Sequence, residues 1–379
     1  MNILTRTKRF RERRIFLVGV AVCILFSVPL VVRGAGSEGD DVLLLTWLNT
    51  LFDYDVSVGY SDNAYLWPSN RVADGLVNII LQTETRKELS DHSAIYISSY
   101  IEKKTFFSER VADELSADAY IEYSYSSGMF EAGISDLAVY EDYRISDDLD
   151  GLESAGDYQS WSDRARFAME YDLGKHNLAI DASYRAKRYQ DMAFDFAEMG
   201  YRLLHYWYLS EKITSRLICA VKQKTYDELQ ATSADGEIHA ENPLLAIDSY
   251  EVGFRLRRRS AGSGRVEIEA RYKLNDDRFA EQDSYNQIGV GASGAVQIGI
   301  HYAATALFDF QQRNYMERVV DVVGTAQTDN FVSCKIMIER VVYKDLCAYV
   351  AYELEMRNSN FDPYDYRENM ATVGLKQLL

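Results

Sequence analysis

The strongest constraint in this sequence is an alternation of side-chain character with a period of two, which begins at Phe52 and recurs to the end of the chain. Successive side chains of an extended strand point to opposite faces, so such a segment has two faces of different chemistry. Phe52, Tyr54, Val56, Val58 and Tyr60 share one face, and Asp53, Asp55, Ser57, Gly59 and Ser61 the other. Val266, Ile268, Ala270, Tyr272 and Leu274 are set against Arg265, Glu267, Glu269, Arg271 and Lys273. Leu178, Ile180, Ala182 and Tyr184 are likewise set against Ala179, Asp181, Ser183 and Arg185. A charged face opposite an apolar, Tyr-bearing one does not suit the core strands of a soluble sandwich.

The pattern predicts strands over 52–61, 75–86, 93–105, 114–126, 129–142, 162–173, 177–188 and 200–210. It continues over 214–227, 247–258, 265–275, 285–293, 297–310, 330–342, 345–357 and 369–379. The expected fold is all-β, a transmembrane antiparallel up-and-down barrel of about 16 strands, with 14 or 18 if two are merged or missed. An even number puts both ends of a closed sheet on one side. The connections alternate in length: 62–74, 143–161, 228–246 and 311–329 are long, whereas 87–92, 174–176, 259–264 and 343–344 are short. Long loops on one side and short turns on the other are what a membrane-spanning barrel shows. Pro68, Pro243 and Pro363 fall in long connections, where a missing N–H breaks no ladder.

A backbone that crosses hydrocarbon must satisfy every N–H and C=O internally, and a closed sheet does so without an edge. Tyr60, Tyr125, Tyr140, Tyr171, Tyr272 and Tyr352 are expected in the aromatic girdles at the two interfaces, although Tyr also simply favours strands. With 28 Tyr against four Pro the chain is too aromatic and ordered for a disordered protein. Its net charge of −17 and pI of about 4.8 exclude nucleic acid as a partner, which would require a basic footprint.

Arg6, Lys8, Arg9, Arg11, Arg13 and Arg14 precede an apolar run from Ile15 to Val32, and Gly34, Ala35, Gly36 and Ser37 follow it. That order reads as a secretory signal peptide over residues 1–34, then a periplasmic segment over 35–51 and the barrel over 52–379. The competing reading is an uncleaved anchor, since roughly 18 apolar residues just span a bilayer. Cys23 does not make a lipobox, because Val22 stands where a small residue is needed. Removing residues 1–34 takes away seven basic side chains and one acidic one, which leaves the mature chain at −23. Cys219, Cys334 and Cys347 show no metal or redox spacing and are read as small apolar fillers.

From Phe52 to Leu379 the chain resembles the outer-membrane β-barrels of Gram-negative-type envelopes, porins among them. Thr372, Val373, Gly374, Leu375, Lys376, Gln377, Leu378 and Leu379 are similar to the C-terminal signal by which barrel-assembly machinery recognises this class. Leu379 replaces the usual terminal aromatic, and Gln377 stands where an apolar residue is usual. The segment from Val56 through Ser57, Val58, Gly59, Tyr60, Ser61, Asp62, Asn63, Ala64 and Tyr65 to Leu66 weakly resembles first strands of barrels from exopolysaccharide secretion systems. The resemblance implies a cell outer membrane location, lipid and surface glycolipid as surroundings, and homo-oligomers, trimers being common at this size.

If the apolar faces meet lipid, the alternate faces line a lumen. Basic pore-lining residues gather in the middle strands: Arg164, Arg166, Arg185, Lys187, Lys222, Lys224, Arg255, Arg257 and Arg271, with Arg216, Arg265 and Lys273 beside them. Acidic ones gather in early and late strands: Asp53, Asp55, Glu84, Asp118, Glu122, Glu339, Glu353 and Glu355, with Glu131. The two sets would face each other across a pore and create a transverse field. The alternative is that they pair locally and brace the wall, as Glu267 and Glu269 beside Arg271 suggest. Loop 143–161, carrying Asp147, Asp148, Asp150, Glu153 and Asp157, could fold inward, bind divalent cations outside, or simply be solvated.

No motif indicates an enzyme. His92 and His176 fall in short turns, His239 in a long loop, His205 on a lipid face and His301 on a lumen face, and none has ligand or catalytic spacing. No metal and no cofactor is expected. The function expected is passive diffusion of small hydrophilic solutes through an outer-membrane channel. The alternatives are an export pore for an exopolysaccharide and a plugged barrel that serves structure or surface recognition.

Overall fold

A computed structural model of the protein describes residues 50–66, 71–143, 158–190, 194–234, 237–260, 264–320, 324–361 and 365–377. The proposed leader and periplasmic segment, Pro68, Pro363, the acidic loop residues and Leu378–Leu379 lie outside these. The strands are β1 (Thr50–Ser61), β2 (Asp74–Ser90), β3 (Ser93–Phe106), β4 (Glu114–Ser127), β5 (Phe130–Tyr143), β6 (Tyr158–Asp172), β7 (His176–Tyr189) and β8 (Phe196–Ser210). They continue with β9 (Ile213–Gln230), β10 (Leu244–Arg259), β11 (Arg265–Asp277), β12 (Tyr285–Ile298), β13 (Tyr302–Val319), β14 (Ala326–Tyr343), β15 (Leu346–Ser359) and β16 (Tyr366–Gln377). Each pairs antiparallel with its chain neighbours, and β1 pairs with β16 to close the barrel. All sixteen strands expected from the alternation are present, several extended by a few residues; the thirteenth, expected over 297–310, instead runs from Tyr302 to Val319, because 299–301 form the turn after β12.

The connections separate by length as the pattern required. Tight ones, 91–92, 128–129, 173–175, 211–212, 260–264, 299–301 and 344–345, lie at one end. Longer ones, 62–73, 107–113, 144–157, 190–195, 231–243, 278–284, 320–325 and 360–365, lie at the other. Glycine is required at Gly128 and Gly174, whose φ of 61° and 78° reverses the chain within the tight turns.

The outer face is apolar. Val58, Ile134, Val350 and Val373 are each more than half exposed, and similar side chains cover the same face of nearly every strand. A soluble protein would not tolerate so continuous an apolar surface, whereas a bilayer favours it. Tyr60, Tyr125, Tyr140 and Tyr171 lie outward near strand ends, as girdle residues should. Tyr272 and Tyr352 also face outward but sit near mid-strand, so their placement at the ends is corrected.

Strands tilt strongly, by about 40° in barrels of this kind. A single row of register partners shows it: Leu51, Glu84, Ser98, Tyr120, Leu137, Arg164, Arg185, Glu198, Lys224 and Ile247. The row starts at the turn end of β1 and reaches the loop end of β10. Residues at equal distance along neighbouring strands are therefore at unequal height.

Two apolar clusters occupy the inner face at the loop end. Tyr189, Phe196, Tyr226, Leu245 and Ile247 join Ala231 on β7–β10, and Leu76 and Phe106 join Ala64 and Ala112 on β2–β3. All of these are essentially fully buried.

Candidate functional site

Strand parity decides which side chains can meet a solute. On most strands the exposed apolar residues hold one parity and most cross-strand ion pairs the other, so the charged parity is the inner wall; Leu51, Tyr208 and Leu307 are exposed on the inner parity, and Arg188 pairs with Asp227 on the outer. All seventeen charged residues expected to line the lumen lie on it. How they are arranged there differs from the simple picture of two opposed charged walls.

The middle-strand cations are held by local partners. Arg166 and Arg202 both bind Asp181, at 3.1 and 2.8 Å. Lys187 binds Glu141 at 2.6 Å, and Lys222 approaches Glu198 at 3.6 Å. Arg255 bridges Glu267 at 3.1 Å and also reaches Glu269, while Arg257 binds Glu267 at 2.7 Å. Arg271 reaches across β12 to Asp309 of β13 at 2.7 Å. Arg185 and Lys224 project over the Phe196 ring, at 5.6 and 4.7 Å from its centroid. Arg164 shares their register row. The wall-bracing alternative is thus what the geometry shows for most of this set.

The late strands correct the expected acidic wall. Glu339 is paired with Lys376, and Glu353 with Lys335. Glu355 accepts the hydroxyl of Tyr366. Near the loop end Arg357 is buried against Asp329 at 2.8 Å and lies 4.9 Å from the Phe331 ring centroid. Local pairing cancels the charge here.

The early strands are different. Asp53, Asp55, Glu84, Asp118, Glu122 and Glu131 have no cationic side chain within ion-pair distance among the described residues. Their partners are neutral: Gln82 donates to Glu84 at 2.8 Å, Tyr120 to Glu122, and Tyr349 to Asp55 at 2.7 Å. One oxygen of Asp53 is buried with no hydrogen-bond partner among the described residues. Tyr rings intervene on the same wall, with Tyr96 and Tyr120 edge to face at 5.9 Å, and Tyr100 donating to Glu102 at 2.6 Å. The inner wall is therefore acidic and tyrosine-rich on β1–β5 and charge-compensated elsewhere.

Sequence reading put Asp181 on the polar face without a role and missed Glu198, Arg202, Asp309, Lys335 and Lys376 as members of this wall, although the same parity reaches them. It also missed the inner face of β12, where Gly289 and Gly291 leave room. A Cβ on Gly289 would stand 2.7 Å from Arg271, whose side chain lies across it. The neighbouring concavity, of about 410 Å³, is lined by Arg255, Glu269, Arg271, Gly291 and Asp309.

The histidines need two corrections. His301 lies in the tight connection 299–301 and not on a lumen face, and His176 is the first residue of β7 and not a turn residue. Outside the lumen, His176 and His205 share a hydrogen bond of 3.0 Å, and Trp207 stacks on His176. The three cysteines are free thiols, Cys347 buried and the others half-buried. Among the described residues no three His, Cys, Asp or Glu side chains gather as a metal would require.

No protein-family model matches the chain, and no curated protein matches it. Solved structures similar to it include in-vitro folded OmpT, an outer membrane protein of Vibrio cholerae, at 8% identity over 91% of this chain and 99% of that one, with a TM-score of 0.49. Another is a bacterial polysaccharide outer membrane secretin, at 11% identity over 87% and 98%, with a TM-score of 0.42. OccAB3 of Acinetobacter baumannii is similar at 7% identity over 87% and 98%, with a TM-score of 0.47. Likenesses this distant transfer no residue role and no activity. The closed sheet and its apolar outer belt make the protein an outer-membrane β-barrel on physical grounds.

Proposed function

We propose that the protein is an outer-membrane channel for passive diffusion of small hydrophilic solutes, with a preference for cations. The observation that carries this reading is the asymmetry of pairing on the inner wall. Arg166, Lys187, Lys222, Arg255, Arg257 and Arg271 of the middle strands have carboxylate partners within 4 Å, while six carboxylates of β1–β5 have no cation within that distance among the described residues. Charges with no counter-charge in contact, set in a low-dielectric wall, weigh most in the potential that a permeating ion meets. A closed sheet of sixteen strands is wide enough for an aqueous passage.

A second reading, export of a secreted polysaccharide, is favoured by Tyr96, Tyr100 and Tyr120 beside Glu102 and Glu122. Aromatic faces and carboxylates together suit sugar rings and their hydroxyls. Such a pore would require a periplasmic partner. Either reading takes β16 as the strand offered to assembly machinery, and homo-oligomers in the bilayer.

Planar-bilayer recording of residues 35–379, refolded in detergent, tests the reading. Stable conductance steps with a reversal potential on the cation side of a salt gradient are expected. A folded barrel that never conducts would sink the channel, and anion preference would sink the role of the β1–β5 carboxylates.

A further inference from the structure

The outer face of the barrel is not an even apolar surface. On β8–β10 it carries a groove of about 610 Å³, lined by Tyr201, Leu203, Cys219, Val221, Tyr250 and Val252. Register explains the hollow. Leu203, Cys219 and Val252 lie in one row across the three strands, and Tyr201, Val221 and Tyr250 in the next. Cys219 and Val221, on the middle strand, are smaller than Leu203 and the two tyrosines that flank them. With Ile180 and Tyr272 the first row spans five strands, about 19 Å at the usual strand spacing. That length is of the order of an acyl chain, which must cross about 15 Å of hydrocarbon in its own leaflet. A chain lying in the groove gains dispersion contacts that an unfilled hollow forfeits.

Polar groups gather at the turn-side end of the same face. His205 follows Leu203 by two residues on β8, and Trp207 follows His205 by two more. His176 on β7 is hydrogen-bonded through Nδ1 to Nε2 of His205 at 3.0 Å, with the ring planes within 3°. One of the outer nitrogens, Nε2 of His176 or Nδ1 of His205, therefore carries an N–H in the neutral pair, and both do once the pair takes up a proton. The turns on either side of these strand ends bring Lys175 and Lys212, and β10 brings outward-facing Arg258. All three cations are exposed, and none has an ion pair among the described residues. Glu211 shares the turn with Lys212, and Asp172, of the inward parity, accepts the Gly174 N–H at 2.7 Å. With the histidines this is a basic spot on a chain of net charge −17.

We propose that groove and basic spot together bind one anionic glycerophospholipid of the turn-side leaflet. An acyl chain lies along the groove. The phosphate sits between Lys175 and Lys212 and accepts N–H donors from the histidine pair and the Trp207 indole. Basic side chains at a membrane surface attract anionic headgroups, and a groove that holds one chain converts that attraction into a site of fixed stoichiometry. The inference goes beyond the channel reading and does not depend on conduction.

The protein is extracted from outer membranes into a neutral detergent, stripped of lipid, checked for folding by heat-modifiable migration and titrated with palmitoyl-oleoyl phosphatidylglycerol. Native mass spectrometry counts the lipids bound. A single lipid per chain is expected, held about fivefold or more tighter than phosphatidylcholine with the same acyl chains. Lys175→Gln combined with Lys212→Gln should weaken binding by about tenfold or more. Cys219→Phe, which fills the groove, should abolish retention. Arg340→Gln, at an exposed cation on the turn side of β14, and Ala306→Phe, on the outer face of β13, should both match the parent.

Equal retention of the two lipids, several phosphatidylglycerols bound with equal strength, or none retained would each overturn the site. Displacement of the lipid by millimolar inorganic phosphate, with Cys219→Phe still binding it, would mean a phosphate site without the groove and would overturn the lipid assignment. Should Cys219→Phe fail to fold, a phosphatidylglycerol with a diazirine on its acyl chain is photo-crosslinked to the parent protein. Adducts are then expected on the peptides that carry Tyr201, Cys219 and Tyr250, and labelling spread evenly over all strands would overturn the proposal.

Discussion

Asp136 projects from the middle of β5 on the outer face, between Ile134 and Ala138, with no ion pair or hydrogen bond among the described residues. A carboxylate in the apolar belt costs stability, by less than the roughly 2–4 kcal/mol of a midplane Arg or Lys. Asp136→Ala should raise the free energy of unfolding from a bilayer by about 1–2 kcal/mol, measured by urea titration in lipid vesicles. An unchanged or lowered value would mean that another protein surface covers this face. Asp195, in the connection before β8, behaves differently. Burial raises its pKa to about 6, Asp227 and Glu228 add to the rise, and the Tyr189 N–H and Arg188 oppose it. An acid with a raised folded pKa contributes stability that is present below the unfolded value, near 4, and lost as pH rises through about 6. Compared with Asp195→Asn, the parent should lose stability between pH 4 and 7, and parallel pH profiles would refute this.

The seam between β1 and β16 is the element on which closure depends. Its register runs from Asp55 with Lys376 to Ser61 with Met370, shorter than the pairing of β16 with β15. Side chains reinforce it on the inner face. Tyr349 on β15 lies flat over Gly374 and reaches Asp55, so a Cβ at Gly374 would stand 2.6 Å from the ring. Ser61 donates to Glu368, and Asn63 donates to the Arg367 carbonyl at 3.0 Å. Gly374→Val should therefore destabilise the barrel by about 1–3 kcal/mol through overpacking, seen as a lower temperature for loss of heat-modifiable migration. Gly289→Ala, where only the flexible Arg271 must move, is expected to cost much less. Equal losses at the two positions would show that the Tyr349 cover has no special part in closure.

At the scale of the molecule the decisive feature is where charge is left uncompensated. Replacing Asp53 and Asp55 by Asn and Glu84 by Gln should lower the cation-to-anion permeability ratio by about twofold or more, read as a shift of reversal potential towards zero. Removing cations of the opposite wall is a poorer probe. Turning Arg255 and Arg257 into Glu would set two carboxylates beside Glu267 and Glu269, so that any gain in cation preference should come with a less stable barrel. A selectivity that ignores the triple neutralisation would place control of permeation at the mouth.

The sequence by itself determined the fold class, a strand number of about sixteen and the side on which the charged residues it singled out would lie. A bilayer imposes one rule on every strand, apolar outward and polar inward, and a period of two records that rule locally. The parity of Arg166, Lys187, Glu84 and Asp118 was legible from neighbours two residues away. Which charges cancel was not, because Arg166 meets Asp181 on β7, Lys187 meets Glu141 on β5 and Lys376 meets Glu339 on β14, and such meetings depend on register and tilt. Nor could alternation show that Ala231 and Ala112 are buried inside the mouth, since a loop carries no periodic pattern. Those features were decided by the tertiary structure, where strands distant in sequence are brought side by side and their connections find apolar seats.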